Sequence, residues 1–152
     1  IAGAGDEESN LRSQIQRLGI SDSVHLVGRL SKEQVAELMA AGDVFVLPSR
    51  LEAFGLAALE AAATGTPVVC SNAGGIPEVF EDGVNALLYS PGDVRQMANS
   101  MSRLIRDGNL RKTLGDNAVR TAHGLTWAES AERTLTVYEE AYRHNASRRV
   151  HR

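Results

Sequence analysis

The chain has 152 residues, of which 43% are hydrophobic and 23% charged, and a formal net charge of −3. That balance fits one ordinary globular domain and excludes the basic footprint of a nucleic-acid binder. No apolar run approaches the ~18 residues of a membrane span, no signal peptide opens the chain, and the single cysteine, Cys70, rules out an intrachain disulfide while permitting a cytoplasmic location.

Ile1-Ala-Gly3-Ala-Gly5-Asp6 reads as the tail of a strand running into a glycine turn. Two residues are too few to start a sheet, so the chain is expected to be a piece of a longer protein. Leu11, Ile15 and Leu18 recur at helical spacing over Glu8 to Leu18, and Gly19 stops that helix. Val24 to Val27 alternates and predicts a strand ending at Gly28. Ser31-Lys-Glu-Gln34 is a capping box, with Val35, Leu38 and Met39 facing the core of the helix that follows.

Asp43 to Leu47 is a continuous apolar strand of the kind buried on both faces of a parallel sheet. A helix over Glu52 to Glu60 and a strand over Pro67 to Ser71 come next. Asn72 to Pro77 is a glycine-rich turn, and Ala86 to Tyr89 a last short strand. Val94, Met97, Ala98, Met101, Leu104 and Ile105 mark an amphipathic helix, and Asn109 to Ala122 a further one. Thr126-Trp-Ala-Glu129 is a second capping box, opening a helix with Trp127, Ala131, Leu135, Tyr138 and Tyr142 on one face. Residues 144–152 read as a polar, basic, disordered tail after a domain over residues 1–143. Strand and helix alternate to about residue 105, which predicts a parallel α/β sheet with right-handed crossovers. Ligands of such sheets bind beyond the C-terminal strand ends, where Gly3 to Asp6, Gly28 to Leu30, Pro48 to Gly55 and Asn72 to Glu78 all fall.

The segment from Glu52 to Glu60 carries the most chemistry. Glu60 is the one charged residue in a small-residue apolar helix, so it is expected at that helix's polar outlet. A continuous helix would offset the two carboxylates by ~12 Å along its axis. Glycosidase acid pairs are roughly 5–10 Å apart, so this spacing suits a long ligand held at two places. The amides of Phe54, Gly55 and Leu56 lie between the acids, where a helix N-terminus offers unpaired N–H groups to an anion. Glu60 as a solvated helix residue, and Glu52 as an acid favoured by the helix dipole, are the plainer alternatives. Glu78, after Gly74-Gly75-x-Pro77, is balanced between a ligand contact and the acid of a short helix. Gly3-x-Gly5 fails as a dinucleotide fingerprint because position 8 is Glu8. The four histidines show no metal-ligand spacing.

Taken together, Pro48-Ser49, Glu52 through Phe54-Gly55 to Glu60, Gly65-x-Pro67-Val-Val and Gly74-Gly75-x-Pro77-Glu78 resemble the C-terminal nucleotide-sugar-binding domain of GT-B retaining glycosyltransferases, group 1 or family 4. The resemblance implies a Rossmann-like α/β fold that lacks its first strand, along with the basic pair that follows it and the acceptor-binding N-terminal domain. It implies transfer of a hexose or similar sugar from a UDP-, GDP- or ADP-linked donor, with an isolated fragment expected to be inactive. It assigns Glu60 to the ribose hydroxyls, and Glu52 to the donor sugar with a share in catalysis. It also assigns the Phe54, Gly55 and Leu56 amides to sugar and phosphate, and the backbone of Gly28, Arg29 and Leu30 to the base. Gly3 and Gly5 fall at the expected cleft and count among the donor-binding positions. No metal or other cofactor is implied. The acceptor is a sugar, a lipid or a small molecule, and the location is the cytoplasm or the inner face of a membrane. The rival readings are another GT-B enzyme such as a sugar epimerase, and a nucleotide-binding module without catalysis.

Overall fold

The computed structural model describes residues 1–150, with side chains described to His144. It divides into two compact units, Ile1–Gly42 and the chain from Asp43 onward.

The first unit holds helices α1 (Glu8–Arg17) and α2 (Lys32–Ala41). A Glu8–Arg12 ion pair at 2.7 Å supports the first turn of α1, and Gly19, at φ +65, closes its end. There the Gly19 and Ile20 amides bond the carbonyls of Gln16 and Ile15. The Ser31 capping box forms as expected: the Gln34 amide donates to Ser31 Oγ, and the Ser31 amide to Gln34 Oε1. Of the three expected core residues of α2, Met39 is buried and Val35 half-buried, but Leu38 is exposed. The predicted strand over Val24 to Val27 is corrected to an extended segment. Among the described residues its pairing consists of one parallel bridge, Ala2 with Gly28, and of bonds from the Ile1 amino terminus to the His25 carbonyl, from the Val27 amide to the Ile1 carbonyl and from the Gly3 amide to the Gly28 carbonyl. The alternation is right for a strand, but a ladder needs a partner, and among the described residues only Ile1 to Gly3 pairs with it.

The second unit carries a three-stranded parallel sheet in the order β1 (Phe45–Leu47), β2 (Val68–Ser71), β3 (Leu87–Tyr89). Val46 pairs with Val69, Val69 with Leu87, and Ser71 with Tyr89. Central β2 is fully buried, whereas edge β1 is half-buried along its length, less than the continuous apolar run predicts. Helices α3 (Leu56–Ala63) and α4 (Ile76–Val79) lie in the two crossovers. Helices α5 (Val94–Arg106) and α6 (Gly108–His123) follow, and Val69, Leu87, Tyr89, Leu104 and Leu114 form the core between sheet and helices. Helix α3 packs chiefly on α6. It buries Ala58, Ala61 and Ala62, whose small side chains allow the close approach, and Gly115 of α6 lies under the Gly65 carbonyl.

Helix α7 (Trp127–Val150) starts with the Glu129 amide bonded to Thr126 Oγ1, while the Glu129 carboxylate pairs with Arg133. Its apolar stripe is exposed, with Trp127 at 82%. The expected irregular tail is helical as far as Val150; the rest of it lies outside the described residues. A run with many helix formers extends a helix already begun, whatever its polarity.

Candidate functional site

In the second unit, β1 ends just before Ser49, and the chain bends through residues 50–54 before α3 begins at Leu56. Gly55 stands at the helix N-cap with φ +88, a left-handed conformation open to glycine and costly to other residues. A Cβ at that position would also overlap Ile76 Cδ1. The expected helix start at Glu52 is therefore corrected. A left-handed residue cannot continue a right-handed helix, so Glu52 lies in the preceding loop and the continuous-helix offset does not apply.

Glu52 is half-buried, and its carboxylate accepts two hydrogen bonds, one from Ser49 Oγ at 3.1 Å and one from the Gly55 amide at 3.2 Å. The expected three-amide nest is thus altered. The Gly55 N–H is taken by Glu52, while the Phe54 and Leu56 N–H groups have no acceptor among the described residues. Phe54 and Leu56 expose their side chains beside them, at 38% and 52%. Glu60 lies four residues after Leu56 on the same face of α3, with an exposed side chain unpaired among the described residues. The helix start therefore gathers Glu52, Phe54, Gly55 and Leu56 and places Glu60 one turn on, without pairing the two acids. Glu78 lies in the first turn of α4, which fits its reading as a short-helix acid. The sequence reading named Ser49 as part of a motif but missed its contact with Glu52. The available signal was a hydroxyl three residues before a carboxylate.

In the first unit, Gly3 and Gly28 are brought together by a 2.7 Å bond from the Gly3 amide to the Gly28 carbonyl. Both have positive φ, and a Cβ at either would meet open space. The Gly5 carbonyl accepts from the Glu8 amide, Arg29 is exposed and Leu30 half-buried. A depression of about 340 Å³ in this unit, beside Arg12, Gln16 and His25, contains none of these positions. Among the described residues no three His, Cys, Asp or Glu side chains group to hold a metal ion. No described helix is long and apolar enough to cross a membrane.

The sequence profile of the family described as Glycosyl transferases group 1 matches residues 1–121. The chain belongs to this family. A group 1 relative, the MMP alpha-(1->4)-mannosyltransferase of Mycolicibacterium hassiacum, is 43% identical over 84% of the chain and 31% of its own length. A D-inositol 3-phosphate glycosyltransferase of Corynebacterium kroppenstedtii is 37% identical over 83% of the chain and 28% of its own length. The chain thus spans about a third of the length of the curated relatives it matches. Among solved structures, Anabaena HepE in complex with UDP and glucose superposes with a TM-score of 0.82 at 30% identity, over 92% of this chain and 39% of that one. The same protein is solved with UDP-glucose. The α/β fold of this group 1 chain is that of a GT-B C-terminal domain.

Proposed function

We propose that this chain is the donor-binding part of a retaining glycosyltransferase, which moves a hexose or similar sugar from a nucleoside-diphosphate sugar to an acceptor. The observation that carries the reading is the start of α3. A carboxylate is folded onto the helix N-terminus, two backbone N–H groups are left without acceptors among the described residues, and a second, exposed carboxylate stands one turn further on. A nucleotide sugar offers complementary groups: sugar hydroxyls for Glu52, phosphate oxygens for the amides of Phe54 and Leu56, and ribose hydroxyls for Glu60. Helix N-terminal N–H groups and the helix dipole favour the charge that develops on the departing diphosphate. The complexes of HepE with UDP, glucose and UDP-glucose support the donor class.

The backbone of Gly28, Arg29 and Leu30 contacts the base in this reading, and Gly3 and Gly5 leave room beside it. In this reading charge neutralisation draws on the N-terminus of α3 rather than on a metal. Retention, a sugar, lipid or small-molecule acceptor, and a cytoplasmic location at or near the inner face of a membrane all belong to the same proposal.

Calorimetric titration with UDP, GDP, ADP and UDP-glucose tests it, using the chain and Glu60→Ala. One nucleotide binds, and its affinity falls at least about tenfold in the variant, since a hydrogen bond to a charged group contributes ~1.5–3 kcal/mol. The exposed position leaves folding stability within ~0.5 kcal/mol. Unchanged nucleotide affinity in the variant overturns the ribose assignment. A folded chain that binds none of the four overturns donor binding by this chain.

A further inference from the structure

Glu52 is held from two strand ends at once. From the end of β1, Ser49 Oγ donates to its carboxylate, and the Ser49 carbonyl in turn accepts a hydrogen bond from Ser71 Oγ at the end of β2. Ser71 is 1% exposed, so its hydroxyl is committed to that contact. The turn after β2 grips the backbone of the same residue. The Gly75 amide donates to the Glu52 carbonyl at 3.3 Å, and a Cβ at Gly74 would overlap that carbonyl oxygen. A Cβ at Gly75 would overlap the carbonyl oxygen of Ala53. Gly74 also has φ +54, which disfavours any other residue. Both glycines are thus required by the closeness of the Glu52 loop, and Gly74 by turn geometry as well. A buried serine, a second serine and a side-chain-free turn converge on one residue: Ser49, itself held by Ser71, bonds the Glu52 carboxylate, the turn holds the Glu52 backbone, and the carboxylate's remaining bond is to the Gly55 amide.

We propose that Ser49, Ser71, Gly74 and Gly75 are positioning residues for Glu52, fixing its carboxylate where a donor sugar would meet it. The donor part of this inference rests on the proposed function. The fixing of Glu52 does not, so the two can be tested apart. The Gly55 amide reports on the carboxylate without any ligand, because Glu52 is its acceptor.

Amide exchange by NMR on the 152-residue chain reads it directly. Ser49→Ala and Ser71→Ala speed exchange of the Gly55 amide about tenfold, the order expected for loosening one hydrogen bond to a charged group. The core amides of Val69 and Leu114 keep their rates, and Ser49→Thr, which retains the hydroxyl, restores the Gly55 rate. Titration supplies the donor readout. The variants bind UDP as the parent chain does but lose most of the affinity that UDP-glucose gains over UDP. A wild-type Gly55 rate in both alanine variants overturns the proposal. So does acceleration of the Val69 and Leu114 amides along with Gly55, which would make the serines supports of the whole fold. An undiminished UDP-glucose advantage in the variants overturns the donor-sugar role. If the parent chain binds neither ligand while Gly55 still responds, the donor reading falls and the fixing of Glu52 stands.

Discussion

Asn85 Nδ2 donates to Thr121 Oγ1 at 2.8 Å, tying the turn before β3 to the last turns of α6 across 36 positions of sequence. The same side chain accepts from the Glu81 amide at 2.7 Å and donates to the Val79 carbonyl at 3.2 Å. Asn85 is 7% exposed, so water cannot replace these partners cheaply. Asn85→Ala leaves the Glu81 amide, the Val79 carbonyl and the Thr121 hydroxyl each one partner short in a half-buried setting, with roughly 1 kcal/mol lost per bond. Urea unfolding followed by far-UV circular dichroism is expected to show a loss of about 2–4 kcal/mol. Thr121→Val, which removes one of the three contacts, costs about 1 kcal/mol. A loss below ~0.5 kcal/mol for Asn85→Ala would refute the network's structural weight.

Two glycines of α6 respond to alanine with opposite signs. At Gly115 a Cβ would overlap the Gly65 carbonyl oxygen, a backbone atom with little freedom to move. Gly115→Ala therefore separates α6 from α3 and costs about 1–3 kcal/mol, as overpacking does. At Gly108, in the first turn, the nearest atom to a new Cβ is the Arg111 guanidinium at 3.8 Å. Gly108→Ala stabilises by about 0.4–1 kcal/mol, because alanine restricts the unfolded chain and fits the helix. Equal effects in thermal unfolding of the two variants would contradict the packing described here.

Cys70 sits in fully buried β2, and burial, helped by the negative charge of Asp82, pushes its thiol up to about 12. In the unfolded chain the thiol ionises near pH 8.5. Above that pH the unfolded state holds fewer protons than the folded one, so stability falls as pH rises. The contribution is intact below about pH 8.5 and is lost towards pH 12, at up to ~1.4 kcal/mol per pH unit. Cys70→Ala removes this component, and the wild-type-minus-variant stability difference isolates it. A pH-independent difference between pH 8 and 11 counts against it. Thiol reagents modify Cys70 at the rate of unfolding.

Elements with their own local signals were legible in the sequence. The Ser31 capping box, Gly19 and the apolar run into Cys70 placed α1, α2 and β2 to within a residue or two. What failed depended on partners far along the chain. Val24 to Val27 alternates like a strand, yet strandhood needs a ladder, and pairing is not written in alternation. The start of α3 lies later than the spacing suggests because Gly55 takes a left-handed φ with Ile76 packed where a Cβ would stand, and neither is marked in the run of small residues. At the site, the acids and the glycine were visible, but their arrangement was not. That Glu52 would fold back onto an amide expected to hold an anion follows from the loop's path, which spacing alone does not specify.

The exposure of Trp127 sets how this protein can be watched. It is the chain's single tryptophan, and water already surrounds its indole in the folded state. Its emission would change little when the sheet comes apart, so a fluorescence melt would miss the transition that circular dichroism sees. The same property turns it into a clean beacon: a blue shift on adding any other molecule would announce that α7 had been covered, against a background that folding barely touches.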